Sequence, residues 1–552
     1  MRATTSCGFH ARKPLCLGYD APCQTTSLPQ RDILRPDSAP PRAGMFAHVT
    51  VIALLATGAG IGIVLTRLAR GVAKRVGMLD APDGFRKKQA APVPVAGGVA
   101  VLASALLTLF TVALVDADVA AALTADLRKS LALLTAAVLI TTVGVIDDRY
   151  NLRARYKLGG QVLAVLVLVV GGDFVIHSVG LFGYLVELGR FDIPLTVIWL
   201  LACVNALNLI DGMDGLLGTV GCVALVSLAI IAAIGGHVFA ASVALALAGA
   251  AFGFLWWNLP PATIYMGDAG SMLIGLVIGA VAIPASLKGP AMISLCAPLA
   301  ILVLPVFDTT AAIVRRKLTG RKIAAGDCGH MHHTMMDRGL TPSNVLKIVT
   351  VLAVFAAIGA LASIVWSNDF YALVAAGGVV TTLVASKLFG HAELGLIRAR
   401  VSKFVRKLLI GDASAWGLTI RLQGTRDWER VWDELTALAD RMNIQSLCLD
   451  VNAPAMRENY HARWSSPTAE AQPSRLLQLE IPLFGKSGTP LGQLAIALAR
   501  DARPLSDAFA AIARVIDTLE CRAMAMVGSG GQPAAREEPE STIITSEPVV
   551  SV

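Results

Sequence analysis

The residues of this sequence most suited to chemistry are polar side chains that follow long apolar segments. The segment NALNLIDGMDGL, residues 205–216, comes at the end of the apolar run DIPLTVIWLLACV. It carries two asparagines and two aspartates at intervals of three residues: Asn205, Asn208, Asp211 and Asp214. Ionisable residues are expensive inside a bilayer, and where they occur they usually mark a functional site. We therefore expect these side chains to bind a ligand at a membrane surface.

Four other motifs place carboxylates or imidazoles in comparable positions. They are VGVIDDRYNL with Asp147 and Asp148, IYMGDAGSMLIG with Asp268, LPVFDTTAAIVRR with Asp308, and DCGHMHHTMMDRGL with His330, His332 and His333. Carboxylate and amide oxygens in this number, without a cysteine in thiolate-type spacing, suit a hard cation such as Mg²⁺ or Mn²⁺. Because Mg²⁺ commonly binds substrate phosphates together with one or two carboxylates, the motifs predict a phosphate-containing ligand.

The composition predicts that these motifs belong to a membrane protein. Of the 552 residues, 55% are hydrophobic and only 16% are charged, whereas a soluble globular chain has about 25% charged residues. A helix needs about 20 apolar residues to cross a bilayer. Eleven segments are candidates, the third and fourth being short: about 45–66, 92–115, 131–146, 158–171, 193–209, 216–234, 238–257, 272–287, 291–314, 345–366 and 370–389. The predicted fold is an all-α polytopic membrane protein with about eleven transmembrane helices.

The basic residues predict the orientation of these helices. Lysine and arginine are frequent in alternate loops and scarce in the loops between them, as in proteins with positively charged cytoplasmic loops. The rich loops are 67–91, 147–157 and 315–344, and the poor loops are 116–130, 172–192 and 286–290. All five polar motifs are then predicted at the cytoplasmic surface of the membrane. Because the net charge of +8 is spread over alternate loops, it does not predict a nucleic-acid partner.

The chain is predicted to have further parts on either side of the membrane domain, residues 45–390. Residues 1–44 are expected to be a disordered leader or a misassigned start, with Met45 the favoured beginning. After the last span, residues 394–411 alternate apolar and basic residues at helical spacing, which predicts a helix on the inner membrane surface or, alternatively, a solvated linker helix.

A change of composition predicts a small cytoplasmic α+β domain over residues 413–527, followed by a disordered tail, residues 528–552. No catalytic constellation is recognisable in this domain. Its residues Asp450, Asn452, His461 and Trp464 are predicted to lie on loops.

Carboxylates at the membrane surface, basic loops and a metal that binds pyrophosphate together predict phosphoryl transfer between a soluble nucleotide and a lipid. Glycines beside the aspartates, Gly212, Gly215, Gly267 and Gly270, would let backbone amides approach phosphate oxygens. An ion-coupled transporter is less consistent with this arrangement, because its carboxylates would lie near the bilayer midplane.

In this order and spacing, the motifs DDRYNL, NALNLIDGMDGL, GDAGS, FDTTAAIVRR and HMHH…RGL resemble those of the polyprenyl-phosphate N-acetylhexosamine-1-phosphate transferases. This group, in glycosyltransferase family 4, also includes the phospho-MurNAc-pentapeptide translocases. The resemblance covers about residues 45–390, and LDAPDGFRKKQAAPVPVAGG (79–98) is similar to the family's first cytoplasmic loop. It implies transfer of a sugar-1-phosphate from a UDP-sugar to undecaprenyl phosphate, with release of UMP and with Mg²⁺ as cofactor.

The resemblance also implies roles for individual residues. Asn208 and Asp268 would bind the metal, and the catalytic set would be Asp147, Asp148, Asp211 and Asp308. The substrate-binding set would be Asn205, Asp214, Lys157, His330, His332, His333 and Arg338. Because adjacent residues on a helix point about 100° apart, only one of Asp147 and Asp148 is expected to act on the lipid phosphate, and the other to support it.

The form H-x-H-H at His330 to His333 is similar to the branch that uses UDP-GlcNAc or a related UDP-N-acetylhexosamine. Cys328-Gly329 and Gln89 depart from the family pattern, which commonly has Arg before the first histidine and His in the first loop. The product would start an O-antigen, exopolysaccharide or similar glycan. The alternatives are a peptidoglycan-type translocase and, from a different class, a membrane transporter or sensor. The sequence leaves open whether the protein forms a homodimer.

Overall fold

A computed structural model describes most of the membrane domain and the strands that follow it. The described residues are 48–80, 92–181, 184–285, 295–319, 329–409, 416–423, 428–441, 444–453, 458–466, 476–484, 490–499, 510 and 513–514. The predicted leader 1–44 and the predicted tail 528–552 lie outside these residues, as do Gln89 and Cys328.

Fifteen helices are described between His48 and Leu409, fourteen of them in the membrane domain and one directly after it. They are α1 (His48–Val76), α2 (Gly97–Ala113), α3 (Ala117–Ala125), α4 (Leu127–Tyr150), α5 (Ala154–Leu166), α6 (Asp192–Ile210), α7 (Leu216–Ile234), α8 (Val238–Asn258), α9 (Gly267–Ala285), α10 (Cys296–Ile301), α11 (Val303–Thr319), α12 (Met331–Asp337), α13 (Pro342–Val365), α14 (Phe370–Ala385) and α15 (His391–Leu409). A π-helical turn, Val167–Gly171, continues α5, and a 3₁₀ turn, Gly189–Phe191, precedes α6.

Eight described helices are long and apolar enough to cross a membrane, and a bent pair raises the number to nine at most. The bent pair is α2 and α3, which meet at 116° because Asp116 begins a new helix by accepting hydrogen bonds from the backbone of Asp118 and Val119. The predicted span 291–314 is divided between α10 and α11, and α14 has only 16 residues. The chain is therefore a polytopic helical membrane protein with eight or nine candidate spans in its described part. The two segments that were predicted to be short, 131–146 and 158–171, lie within longer helical stretches. The first lies within α4, and the second lies within α5 and its π-helical turn.

Glycines allow helix α9 to lie unusually close to its neighbours. A Cβ atom on Gly144 of α4 would overlap the backbone of Asp268 and Ala269, and one on Gly98 of α2 would overlap Ala269 and Gly270. Small residues at such crossings let transmembrane helices approach through their backbones. The first turn of α9, which carries Asp268, is therefore held between α2 and α4.

The backbone before α9 is fixed by hydrogen bonds to the segment that resembles the family's first loop. The amide of Gly97 donates to the carbonyl of Tyr265 at 3.0 Å, and that of Gly98 donates to Met266 at 2.9 Å. In the other direction, the amide of Tyr265 donates to the carbonyl of Pro94 at 2.8 Å. Two short strands, β1 (Leu79–Asp80) and β2 (Val93–Pro94), pair immediately before this contact. A second hairpin, β3 (Ser178–Leu181) and β4 (Tyr184–Glu187), precedes α6.

The C-terminal region is a five-stranded antiparallel sheet with one described helix. The elements are β5 (Trp416–Gln423), α16 (Trp428–Arg441), β6 (Ser446–Ala453), β7 (Glu458–Ser465), β8 (Leu476–Phe484) and β9 (Pro490–Ala499), with the strand order β5-β7-β6-β9-β8. Aromatic and aliphatic side chains of α16, including Trp428, Trp432 and Leu435, join one hydrophobic cluster with alternate residues of the strands. The described elements between residues 416 and 499 therefore form a small α+β region.

The prediction that Asp450, Asn452, His461 and Trp464 lie on loops was wrong. Asp450 and Asn452 belong to β6, and His461 and Trp464 belong to β7. Asp450 lies opposite His461 in the register, and a contact of 3.1 Å joins their Oδ1 and Nδ1 atoms. Side chains of a strand point alternately to its two faces. On β7, Asn459 and His461 lie on one face and Tyr460 and Ala462 on the other, and all four are buried.

Candidate active site

The ammonium group of Lys157 lies among three oxygen atoms from three other helices. Its Nζ atom is 2.9 Å from Oδ2 of Asp147 on α4 and 2.8 Å from Oδ2 of Asp268 on α9. It also donates to Oδ1 of Asn208 on α6 at 3.1 Å. Lys157 itself belongs to α5, so four helices contribute to the group. We call Asp147, Lys157, Asn208 and Asp268 the oxygen cluster.

Asn208 is held in one orientation by two hydrogen bonds from its amide nitrogen. Nδ2 donates to Oδ1 of Asp268 at 2.5 Å and to Oγ of Ser271 at 2.8 Å. Because both bonds use the nitrogen, the amide oxygen faces the oxygen cluster. The sequence did not indicate Ser271, which lies one helical turn after Asp268 and is buried. The motif GDAGS placed it at the right spacing, but nothing in the sequence linked it to Asn208.

Asp148 has a different role from its neighbour Asp147. Its carboxylate accepts hydrogen bonds from the backbone amides of Asp268 at 2.8 Å and Ala269 at 3.3 Å. It therefore occupies the capping position at the start of α9, where an anion also interacts favourably with the helix dipole. Gly267 has a φ of +72°, and a Cβ atom there would overlap the Asp148 carboxylate. Asp148 thus positions Asp268 through the backbone.

Asp147 contributes its carboxylate to the oxygen cluster from the last turn of α4. One carboxylate oxygen accepts from the amide of Leu152 at 2.7 Å, and the other contacts Lys157. The helix ends at Asn151, which adopts a left-handed conformation and donates its amide to the carbonyl of Asp147. The chain turn that follows α4 therefore holds this carboxylate towards the cluster.

The remaining residues of the NALNLIDGMDGL motif surround the oxygen cluster less directly. The amide nitrogen of Asn205 donates to Oε1 of Gln161 and to the carbonyl of Leu201, so both of its hydrogen atoms are used within the protein. Asp214 accepts from the backbone amide of Ala262 at 2.9 Å. Burial, followed by the charges of nearby carboxylates, raises the pKa of Asp211 well above its ordinary range. A carboxyl group shifted in this way repels an approaching phosphate less than an ionised one.

A second group of site residues is built around Asp308 on α11. Oδ2 of Asp308 is 3.0 Å from Nδ1 of His330, and Oδ1 accepts from the backbone amide of Met331 at 2.8 Å. Since a carboxylate only accepts, Nδ1 of His330 carries the hydrogen. Asp308 has a relative exposure of 1%. It is therefore placed to orient His330, and the catalytic role that the resemblance implied stays a prediction.

His332 connects this second group to the first. Its ring packs against Gly212, where any Cβ atom would overlap it. Residues 329–338, which we call the histidine segment, therefore lie beside the NALNLIDGMDGL motif. The ring is 2% exposed, and neither nitrogen has a hydrogen-bond partner in the part of the chain that the structure describes. Burial lowers the pKa of His332 well below its ordinary range, so the ring is neutral. The ring of His333 lies beside it, with 4.2 Å between centroids.

Arg338 lies at the end of the histidine segment and turns towards α15. Its Nη2 atom is 3.2 Å from Nε2 of His391. Burial lowers the pKa of Arg338. The structure thus brings Asp147, Lys157, Asn208 and Asp268 together directly, connects the histidines to them through Gly212, and places Arg338 at the outer end of the same segment.

The oxygen cluster fits a divalent cation by its chemistry. Two carboxylates and one amide oxygen already surround a positive charge, the Lys157 ammonium. Within the described ranges, no three His, Cys, Asp or Glu residues are grouped so that they could hold a metal ion alone. In general, Mg²⁺ takes one or two carboxylates and completes its coordination with water and substrate phosphates. Asp268, Asn208 and Asp147 are the residues that could hold such an ion.

Comparison with known proteins identifies the family. The model of glycosyl transferase family 4 matches residues 130–286, which include the whole oxygen cluster. A probable undecaprenyl-phosphate N-acetylglucosaminyl 1-phosphate transferase of Bacillus subtilis is 31% identical over 312 residues, which are 56% of this chain and 84% of that protein. The chain belongs to glycosyl transferase family 4.

Two further relatives of this family 4 enzyme are also named as enzymes that act on a polyprenyl phosphate and an N-acetylglucosamine phosphate group. A decaprenyl-phosphate N-acetylglucosaminephosphotransferase of Mycobacterium tuberculosis is 32% identical over 357 residues, covering 60% of this chain and 86% of the relative. An undecaprenyl-phosphate alpha-N-acetylglucosaminyl 1-phosphate transferase of Escherichia coli is 33% identical over 301 residues, covering 53% and 79%. The predicted family and the prediction of a transferase enzyme are confirmed. The transporter or sensor alternative is not favoured.

Proposed function

We propose that this family 4 enzyme transfers N-acetylglucosamine-1-phosphate from UDP-GlcNAc to undecaprenyl phosphate and releases UMP. The product would begin a lipid-linked cell-surface glycan such as an O-antigen or an exopolysaccharide. The observation that carries the proposal is the oxygen cluster around Lys157, which combines charges suited to phosphates with residues that can hold a hard cation. The names of the relatives support the donor sugar and the lipid, and they do not favour UDP-MurNAc-pentapeptide.

In the proposed reaction, an oxygen of the lipid phosphate forms a bond to the β-phosphorus of the donor. The bond between this phosphorus and the bridging oxygen breaks, and UMP leaves. Asp147 is placed to orient the lipid phosphate or to accept its proton, because it is the carboxylate that faces the cluster. Lys157 neutralises phosphate charge at the same point. When bound, Mg²⁺ would supply charge stabilisation for the pyrophosphate at Asp268 and Asn208.

The histidine segment is proposed to bind the donor. With its Nδ1 hydrogen directed to Asp308, His330 can offer Nε2 to a sugar hydroxyl or a phosphate. His332 packs against Gly212 of the NALNLIDGMDGL motif, and His333 lies beside it; we propose that both face the middle of the donor. Asp211 and Asp214 would then lie on the nucleotide side.

The charge pattern of the loops supports a cytoplasmic location of this site, at the inner surface of a bacterial inner membrane. We include in this proposal the cytoplasmic position of the C-terminal α+β region, about eleven spans in the whole chain, and an interfacial position for α15. Helix α15 begins at His391, slightly before the predicted residue 394. Its exposed residues Leu394, Ile397 and Val401 recur at helical spacing, as expected for a helix on a membrane surface.

The proposal can be tested by UMP release from purified protein with undecaprenyl phosphate and Mg²⁺. We expect release with UDP-GlcNAc and none with UDP-MurNAc-pentapeptide. The matched control is Asp268→Asn, which keeps the size of the side chain but should lower the rate by at least ~10²-fold through loss of charge stabilisation. This control also excludes a contaminating transferase from the expression host. Equal release by both proteins, or release only with the peptide-bearing donor, would contradict the proposal.

A further inference from the structure

The first turn of α15 contacts the part of the site that surrounds the histidines. Helix α15 begins at His391, whereas the family model ends at residue 286 and the motif resemblance ends near residue 390. Two side chains of this turn, His391 and Glu393, contact arginines of the membrane domain. One arginine belongs to α11, and the other follows α12.

Glu393 forms an ion pair with Arg315 of α11. Both side chains are almost inaccessible, with relative exposures of 2% for Arg315 and 6% for Glu393. Arg315 comes seven residues after Asp308, which is two helical turns, so both side chains leave α11 on the same face. Removing one member of a buried ion pair is destabilising, so this pair helps to hold Arg315 in place and joins the first turn of α15 to α11.

The guanidinium group of Arg315 lies directly against the backbone of Gly329. A Cβ atom at Gly329 would come within 2.5 Å of Cζ of Arg315. The next residue is His330, which contacts Asp308. The start of the histidine segment is therefore fixed at two points along α11, with His330 on Asp308 and Gly329 on Arg315.

His391 contacts the other end of the same segment. Arginine has hydrogen-bond donors and no acceptor, so Nη2 of Arg338 donates and Nε2 of His391 accepts at 3.2 Å. His391 must be neutral to accept. Burial, followed by the charges of Arg338 and Lys387, lowers the pKa of His391 to about 4, which keeps the ring neutral near pH 7.

The chain that enters α15 is packed against α11 beside Asp308. The rings of Phe307 and Phe389 make an edge-to-face contact with 5.4 Å between centroids. Gly390 has a φ of +83°, and a Cβ atom there would overlap the Phe307 ring. The position of His391 and Glu393 is therefore fixed relative to α11.

We propose that the first turn of α15 completes the donor side of the active site. Glu393, through Arg315, and His391, through Arg338, are positioning residues that hold the two ends of the histidine segment. This inference rests on the proposed function. It assigns a role in the transferase reaction to residues beyond the part of the chain that resembles the family.

The test compares Michaelis constants for both substrates in the full-length protein. Because the negative charge that pairs with the buried Arg315 is removed, Glu393→Gln should raise the KM for UDP-GlcNAc by ~10-fold. The KM for undecaprenyl phosphate should not change. His391→Leu should act in the same direction, whereas His391→Gln, which keeps an acceptor near the position of Nε2, should retain the wild-type value. The control is Glu480→Gln, since Glu480 is exposed on β8.

A double variant separates positioning from simple stabilisation. Arg315→Met/Glu393→Met removes both charges, and replacement of a buried ion pair by apolar groups is often neutral for stability. We expect it to melt at the wild-type temperature and to keep the raised donor KM. A folded Glu393→Gln protein with wild-type constants, an equal rise of both constants, or a double variant with the wild-type donor KM would each overturn the inference. If the wild-type protein itself releases no UMP from UDP-GlcNAc, the proposed function fails instead.

Discussion

At the scale of residues, the site depends on a division of work between two adjacent carboxylates. Asp147 faces Lys157, and Asp148 caps α9 through two backbone amides. The sequence predicted that only one of them would act on the lipid phosphate, because neighbours on a helix point in different directions. It did not indicate which one. That choice depends on the end of α4 and the start of α9, which are more than one hundred residues apart in the chain.

This arrangement gives a prediction about unequal effects of two similar substitutions. We expect Asp147→Asn to lower kcat by at least ~10-fold more than Asp148→Asn, because the carboxylate of Asp147 contacts Lys157, whereas that of Asp148 is used by the α9 amides. Asp148→Asn keeps one oxygen that can accept from the α9 amides, so its main effect should be on thermal stability. Steady-state rates and melting curves of both purified variants provide the measurement. Equal losses of kcat would contradict the assignment of Asp147 as the chemical residue.

The motifs revealed most of the candidate site because polar residues beside apolar segments are conspicuous. Asp147, Lys157, Asn208 and Asp268 were all indicated by the sequence, and the structure brings them together. Gln161, Ser271, Arg315 and Glu393 were not indicated. Each of them acts through a contact with a residue far away in the chain, and neither its type nor its local spacing reports that contact.

At the scale of elements, the position of Asp268 depends on how closely α4 approaches α9. We expect Gly144→Val to force these helices apart, because its Cβ atom would overlap the backbone of Ala269. The free energy of unfolding should fall by about 1–3 kcal/mol or more, as for other overpacked cores, and activity should fall with it. Gly60→Val is the matched control, since a Cβ atom at Gly60 on α1 meets nothing within 4 Å. Similar melting temperatures for the two variants would argue against the close contact.

The contact between α15 and Arg338 gives a prediction about pH. The pKa of His391 is about 4 in the folded protein, below the ordinary value of about 6.5 that is expected in the unfolded chain. Below pH 6.5 the unfolded state therefore binds the proton more readily, and stability falls as the pH decreases towards 4. We expect the melting temperature of His391→Gln to fall less over this range than that of the wild-type protein. Parallel curves for the two proteins would contradict the assigned environment of His391.

At the scale of the whole molecule, hydropathy predicted where the helices lie better than how many cross the membrane. Each of the eleven apolar segments contains helix in the structure. Segment length alone did not reveal that the predicted loop 116–130 contains helix α3, which begins after Asp116. It also did not reveal that the segment 291–314 is divided between α10 and α11. In the C-terminal region, β7 was missed because polar residues fill one of its faces, although Tyr460 and Ala462 alternate on the other.

The arrangement of the molecule also predicts the effect of removing its C-terminal region. Deletion of residues 413–552 should leave measurable transferase activity, because every residue assigned to the site lies before residue 394 and α15 remains in the shortened chain. UMP release by the purified, membrane-inserted truncation is the measurement. Complete loss of activity in a stable protein would mean that the C-terminal α+β region contributes to the active site.

The most direct test of the central claim follows the β-phosphorus of the donor. With UDP-GlcNAc that carries radioactive phosphorus in its β-phosphate, transfer of a sugar-1-phosphate places the label in the lipid product and leaves unlabelled UMP. Transfer of the sugar alone would leave the label in UDP. We predict that the label is recovered in the lipid fraction in equal amount to the UMP released, and that Asp268→Asn lowers both by at least ~10²-fold. Label retained in a soluble nucleotide while the sugar enters the lipid would contradict the account.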